Sequence, residues 1–265
     1  MEKNVVQLFT PGLDSFLAYE FLKQKYSEKQ IRRIYIDLKC RYSQYEIDFL
    51  RKLYSEDEVE VISNVVNLGK YEQENAHVPN RNLILVSVAQ GLTNCDEIYI
   101  NGVKDDRVSD NTFKFRETLS EHLSVIAEKE IRVKSVLEHQ EKSEAVKKYT
   151  DSRENKSIDL LTKTFSCYNK ELYLEENLSW FEKNETSTQS FDRFIEKGKV
   201  NIYGCLECVA CYRKLCALTN ANIYVPFFNY ATSKQYNDSK MNCEMPNRIQ
   251  TIKNYHQFLS WMGCD

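Results

Sequence analysis

Hydrophobic and polar positions along this chain fall into short apolar runs separated by stretches with helical spacing. Residues 5–9 (VVQLF) predict a buried strand, residues 10–13 a tight turn, and an amphipathic helix opens near Asp14 and Ser15. Residues 31–38 (IRRIYIDL) predict a second strand. A helix over 42–53 follows, with Tyr45, Phe49 and Leu53 at four-residue spacing. Residues 59–62 are a short third strand, and 64–75 are polar and irregular. The run 83–92 (LILVSVAQGL) is apolar enough for either element; its Ala, Ser and Gln content and its length favour a buried helix. Residues 97–101 predict a fourth strand stopped by Gly102, 113–127 a helix and 131–137 a fifth strand. Strands that alternate with helices and carry apolar cores imply a doubly wound parallel five-stranded sheet covered on both faces. Ligands bind such sheets beyond the carboxyl ends of the strands.

From about residue 142 the pattern becomes helical, which divides the chain into an α/β part (1–140) and a helical C-terminal part (141–265). Within the latter, 169–199 is rich in Glu, Asn, Ser and Thr, with Trp180, Phe181, Phe191 and Phe194 as its few apolar anchors. It reads as a helical excursion or a partly mobile one, dispensable for chemistry upstream and available to a protein partner. Residues 247–262 predict a closing helix.

Composition narrows the function classes. With 42% hydrophobic and 28% charged residues, the 265-residue chain reads as an ordinary globular protein. A net charge of −3 does not suit bulk binding of nucleic acid or acidic membranes. The adjacent Arg32 and Arg33 read as part of a solvated face. No apolar run reaches membrane-spanning length and no signal-peptide pattern opens the chain, so a cytoplasmic, reducing location is expected. There, nine cysteines argue for metal ligands or free thiols over disulfides.

Three stretches carry candidate chemistry. A strand running through a Gly-containing turn into a helix N-terminus presents backbone N–H groups and a helix dipole to an anion. The turn lacks the Lys of the Walker-type loop. It carries Asp14 instead, an acid that would repel phosphate unless a divalent cation bridged the two; alternatively, Asp14 or Ser15 caps the helix. Cys205, Cys208 and Cys211, in CLECVAC, put three thiols at spacings that converge on one metal, and Cys167, in TFSCY, is the best fourth ligand. Structural zinc suits such a closed site, with an iron–sulfur cluster as the rival. Arg81, in HVPNRN, offers a planar fork for carboxylate or phosphate, or is a surface arginine at a helix start. Asp105, Asp106, Arg107 and Arg116 follow the fourth strand, where they could hold a metal or polar substrate or form a charged loop.

Residues 10–15, T-P-G-L-D-S, resemble the S-G-G-x-D-S loop of the PP-loop ATP pyrophosphatases. Thr10 stands for the first Ser, Gly12, Asp14 and Ser15 match, and Pro11 replaces a Gly, which removes one N–H donor. Over residues 5–221 the order of motifs is similar to one such family, the 7-cyano-7-deazaguanine synthases of the queuosine pathway. KCRYSQYE, with Arg41, Ser43, Gln44 and Glu46, resembles its N-Q-R-H-S-Q-E. HVPNRN resembles V-P-G-R-N, and Gly102-Val103 its G-V. Lys142 stands where the family has a helix-opening Lys, and Thr164 to Tyr168 and CLECVAC stand where it has T-x-S-C-Y and C-G-x-C-x-x-C. The substrate segment S-G-Y-P-D-C-R survives only as Ser109 and Arg116, and the separation of Cys167 from Cys205 is far longer than in the family.

The resemblance implies a ligase that joins 7-carboxy-7-deazaguanine and ammonia, using ATP and Mg²⁺, with Zn²⁺ in the C-terminal part. It implies a catalytic role for Asp14, Ser15 and Lys142. ATP would be held by Thr10, Gly12, Leu13, Asp14, Ser15, Arg81 and Gly102, and the acid by Arg41, Arg81, Asn82, Asp106 and Arg116. Cys167, Cys205, Cys208 and Cys211 would hold the zinc. A PP-loop relative that acts on another acid or thiolates a tRNA base, and a binding protein without catalysis, stay as alternatives. The sequence leaves the oligomeric state open, a homodimer included.

Overall fold

The computed structural model describes residues 3–74, 76–104, 108–152, 156–168, 174–183, 194–205, 208–226, 258, 260 and 262–263. The chain divides into two compact units, 1–142 and 143–265.

Unit 1 is built on five parallel strands: β1 (Val5–Leu8), β2 (Ile31–Ile36), β3 (Glu60–Ile62), β4 (Glu97–Tyr99) and β5 (Arg132–Lys134). Their spatial order is β3-β2-β1-β4-β5. The chain winds outward from β1 through β2 to β3, then crosses back to β4 on the other side of β1. Between β1 and β4 the order reverses, and the loops leaving these strands diverge into a crevice where ligands bind in such sheets. Helices α1 (Leu13–Leu22), α2 (Ser43–Leu53), α3 (Arg81–Thr93) and α4 (Phe113–Ala127) connect the strands, as the sequence pattern predicts.

β1 is buried along its whole length, which explains a strand with almost no polar alternation. Two predictions need correcting. Helix α3 is not a buried helix: Val86 and Ala89 are its buried residues, while Leu83 and Leu92 are exposed. Arg33 does not lie on a solvated face. It is buried in β2, its guanidinium 4.0 Å from the Tyr19 ring centre and 5.1–5.3 Å from those of Tyr54 and Phe9. Three aromatic faces replace part of the water a buried cation loses. Its neighbour Arg32 is exposed and pairs with Glu60 at 2.7 Å.

Unit 2 contains α5 (Lys142–Asp151, whose first residue closes unit 1), α6 (Lys156–Lys163) and α7 (Val209–Asn220), as a helical part requires. It also contains a three-stranded antiparallel sheet, β7-β6-β8, that the sequence did not announce. β6 (Leu174–Lys183) and β7 (Phe194–Gly204) form a long hairpin, and the edge of β6 takes the short strand β8 (Ile223–Tyr224). The described parts of the segment 169–199, residues 174–183 and 194–199, are therefore strand and not helix. The register slips between Trp180 and Phe181, where Lys197 of β7 is left unpaired. Gly198 beside it has φ +152°, a backbone state that side chains resist. Trp180 and Phe181 of the excursion are buried, as are Val200, Ile202 and Tyr203 where β7 continues past it, so the hairpin contributes to the core of unit 2. This burial ties the excursion to the stability of unit 2; whether it is dispensable for the chemistry upstream is a separate matter. The predicted closing helix lies largely outside the described residues.

Candidate active site and metal centre

The turn after β1 is shaped by its own side chains. Gly12, with φ −73° and ψ 161°, is the residue before α1, and no side chain caps that helix. Neither Asp14 nor Ser15 is an N-cap, which removes that reading of both. Ser15 is buried and its hydroxyl points back into the turn. It accepts from the Thr10 N–H (3.1 Å) and from Asn101 Nδ2 (2.8 Å), and lies 2.9 Å from the Thr10 hydroxyl. The Gly12 N–H donates to that same Thr10 hydroxyl at 3.4 Å. Two backbone donors of the turn are thus held by the turn's own hydroxyls. Leu13 buries its side chain and can offer a ligand only its backbone.

Beneath the turn, Gln7 donates through Nε2 to the Ser15 carbonyl (2.9 Å) and to Asn101 Oδ1 (3.0 Å). Asn101 donates to the Leu8 carbonyl at 2.6 Å. This amide pair, Gln7 buried and Asn101 half-buried, ties β1 to the residues that follow β4. Sequence reasoning did not single it out. The available signal was a Gln at the centre of an otherwise apolar strand, a position that needs partners.

Asp14 sits in the first turn of α1, where the helix dipole favours its charge. Lys142, from the far end of unit 1, places its ammonium 2.9 Å from Asp14 Oδ2, both side chains being less than a third exposed. Gly102 follows β4; a Cβ there would come within 2.5 Å of Asn111 Oδ1, so the glycine allows the 108–111 segment to close on the strand end. That segment reaches α3: the Asn82 N–H donates to Asp110 Oδ2 (3.1 Å) and Asn82 Nδ2 to the Asp110 carbonyl (3.0 Å). Before Asn82, Asn80 takes the left-handed conformation at φ 56°, where the family motif has a glycine, and Asn is the side chain that tolerates it best.

Arg116 is buried and ion-paired to Glu138 at 2.6 Å, and it also donates to the Asn111 carbonyl. Arg41 is held by Glu72 at 3.1 Å and by the Glu74 carbonyl. Asp106 lies outside the described residues. After β2, burial pushes the Glu46 carboxyl up to about 7, against a hydrogen bond from Tyr35 (2.8 Å) and the charge of Arg81, both of which pull it down. Asp37, buried at the same strand end, takes the Lys39 ammonium at 2.7 Å.

In unit 2 the four cysteine sulfurs of Cys167, Cys205, Cys208 and Cys211 lie within 4.8 Å of one another. A tetrahedral zinc with bonds of about 2.3 Å needs sulfurs about 3.8 Å apart, and Cys167 and Cys208 are 3.9 Å apart. The Cys205 N–H donates to the Cys167 sulfur (3.3 Å) and the Cys208 N–H to the Cys205 sulfur (3.2 Å), which fixes the sulfurs as acceptors. Hydrogen bonds among the four sulfurs lower the thiols of Cys205 and Cys208 and raise those of Cys167 and Cys211, so without metal the cluster shares its protons unevenly, and metal binding would displace them. The donor set fits a closed zinc site. The long separation of Cys167 from Cys205 does no harm because the β6–β7 hairpin returns the chain to where it left, with Leu174 paired to Gly204 beside Cys205. Cys40, Cys95 and Cys216 are buried thiols outside this cluster.

No helix among the described residues is long and apolar enough to cross a membrane. No curated protein matches the chain. Among solved structures, the predicted subunit of tRNA methyltransferase from Methanocaldococcus jannaschii DSM is similar at 16% identity, over 66% of this chain and 79% of that one, with a TM-score of 0.35. A family profile described as queuosine biosynthesis protein QueC matches residues 16–222, beginning one residue past Ser15 and taking in all four clustered cysteines. The chain belongs to the QueC family of queuosine biosynthesis proteins.

Proposed function

We propose that the protein is an ATP-dependent ligase that converts 7-carboxy-7-deazaguanine and ammonia to 7-cyano-7-deazaguanine. Family membership supports an ATP-using enzyme of queuosine biosynthesis; the particular reaction is our reading. In it, the substrate carboxylate attacks the α-phosphorus of ATP, giving an acyl-adenylate and pyrophosphate. Ammonia displaces AMP to form the amide. The amide oxygen is adenylated by a second ATP, and loss of AMP and a proton leaves the nitrile.

The observation that carries the proposal is the meeting of Asp14 and Lys142 at 2.9 Å beside the turn after β1. A carboxylate and an ammonium held together at a helix N-terminus suit a bound polyphosphate. The ammonium can turn to the phosphates, and the freed carboxylate can hold the Mg²⁺ that accompanies ATP. Thr10, Gly12, Leu13 and Ser15 are assigned to the phosphates, together with Arg81 and Gly102. Arg41, Arg81, Asn82, Asp106 and Arg116 are assigned to the acid. Since Glu138 already neutralises Arg116, that residue serves better as a hydrogen-bonding wall than as the main counter-charge.

The test is incubation with ATP, ammonium and 7-carboxy-7-deazaguanine, followed by mass spectrometry and pyrophosphate assay. Nitrile formation and pyrophosphate release that require the deazapurine are expected. Pyrophosphate release with another acid or a tRNA, and none with the deazapurine, would overturn the proposal in favour of a relative of different specificity. Binding without turnover would favour a protein that has lost catalysis.

A further inference from the structure

The cysteine cluster has a neighbour that the reaction does not use. Lys214 lies on α7 three residues after Cys211, on the same side of the helix, and is buried. Its ammonium donates to the carbonyl oxygens of Thr162 (2.8 Å) and Thr164 (2.5 Å). These carbonyls belong to the C-terminal end of α6 and to the segment that runs on to Cys167. Among the described residues no carboxylate pairs with this ammonium.

An ammonium withdrawn from water and left with two carbonyl dipoles is costly to keep charged. Burial pulls it down to about 7, and the Cys211 sulfur, when it carries charge, opposes that fall. Four thiolates around one divalent cation carry a net double negative charge, itself costly to bury without a counter-charge. Each of these groups removes the other's penalty.

We propose that Lys214 is a positioning residue for the four-cysteine centre, its ammonium serving as the counter-charge of a zinc tetrathiolate while its two hydrogen bonds hold the Cys167 segment against α7. The competing account is simpler: Lys214 caps the C-terminus of α6, as lysines near helix ends do, whether or not metal is present. The two accounts differ in how the effect of the side chain depends on the metal. As counter-charge it strengthens metal binding; as cap it stabilises metal-loaded and metal-free protein alike.

The experiment compares full-length wild type, Lys214→Gln and Lys214→Arg. Gln keeps an amide NH2 that can donate to the carbonyls without the charge, and Arg keeps the charge. Zinc content is measured by elemental analysis, and the rate of zinc release to the chelator 4-(2-pyridylazo)resorcinol is followed by absorbance. Outer partners of metal ligands typically matter by ~10-fold to 100-fold in affinity, so Lys214→Gln should release zinc ~10-fold faster or more. Lys214→Arg should stay close to wild type. In a Cys205→Ser background, which lacks the full ligand set, Lys214→Gln should leave the melting temperature nearly unchanged or raise it.

The proposal rests on the cluster holding a divalent metal, so a metal-free wild type overturns it together with that reading. A zinc-loaded wild type whose Lys214→Gln variant releases zinc at the same rate overturns the proposal alone. Equal loss of melting temperature from Lys214→Gln with and without Cys205 overturns it as well. So does a Lys214→Gln chain that cannot fold in saturating zinc where Cys205→Ser can, because the ammonium would then serve the fold and not the metal.

Discussion

Replacing Asp14 by Asn separates structure from chemistry at the turn after β1. The substitution keeps size and shape and removes one negative charge. The structure supplies two stabilising terms for that charge: the ion pair to Lys142 at 2.9 Å and the dipole of α1. Both partners of the pair keep some exposure, so its loss is worth about 1 kcal/mol or less, and the dipole adds about 0.3–1 kcal/mol. Together they predict a fall in melting temperature of a few degrees for a unit of this size. The effect on reaction should be far larger. If Asp14 holds the cation on the phosphates, its charge acts where negative charge accumulates, and losing such a contact typically costs ~10²-fold or more in turnover. The assay is pyrophosphate release with ATP, ammonium and the deazapurine acid, run beside thermal denaturation. A folded Asp14→Asn protein with wild-type turnover would remove Asp14 from the mechanism. A collapse of stability by many degrees would instead make the Asp14–Lys142 pair architectural. Lys142→Met provides the complement: if the two side chains act on the same phosphates, the double variant should be little slower than the worse single one.

Glu97 should govern acid stability. It is buried among Lys3, Lys134 (2.9 Å) and the hydroxyls of Tyr26 (2.6 Å) and Tyr99 (3.0 Å). Burial alone would raise its carboxyl, but the hydrogen bonds from Lys3, Tyr26 and Lys134 win and hold it down at about 2. A carboxyl depressed in the folded state stabilises above its unfolded value, near 4.5, and that stability drains away as pH falls toward 2. Glu97→Gln should therefore cost about 3 kcal/mol at neutral pH, and denaturant midpoints of the two proteins should converge near pH 2; parallel curves at every pH would refute this. Cys205→Ser should lose zinc and melt early, whereas Cys216→Ala should keep zinc, and iron in elemental analysis of the wild type would refute the zinc assignment. Joining Lys183 to Phe194, the outermost pair of the hairpin among the described residues, by an Asn-Gly turn should leave zinc content and melting temperature unchanged. Removing the strands themselves should abolish both, and a stable zinc-loaded protein without them would show that their buried aromatics are not needed.

The legible parts of this molecule were those governed by periodicity and by fixed spacing. The five strands of the parallel sheet and α1 to α4 follow from runs such as VVQLF and IRRIYIDL, since strands buried on both faces have to be apolar. The three-cysteine run and Cys167 were legible because metal geometry restricts spacing; the structure puts all four together. What stayed hidden depends on pairing between distant segments. The β6–β7 hairpin reads as polar excursion because one of its faces is solvated and its bulge at Lys197 breaks the alternation. The burial of Arg33 rests on rings from α1, from the residue after β1 and from the end of α2, which no local pattern reveals. The inward turn of the Ser15 hydroxyl follows from Asn101, which reaches the turn only because β4 lies beside β1.

The hairpin between the metal ligands also changes what it costs to bring them together. Cys167 and Cys205 are 38 residues apart along the chain, and closing a flexible loop of that length carries an entropy that grows with the logarithm of its size. With Leu174 already paired to Gly204, the chain left to close is only about eight residues long. The difference is about 1.4 kcal/mol, or roughly tenfold in metal affinity. A preformed hairpin thus lets the metal bind as if its ligands were near neighbours in sequence. Residues added at the tip would lengthen the chain without lengthening that loop.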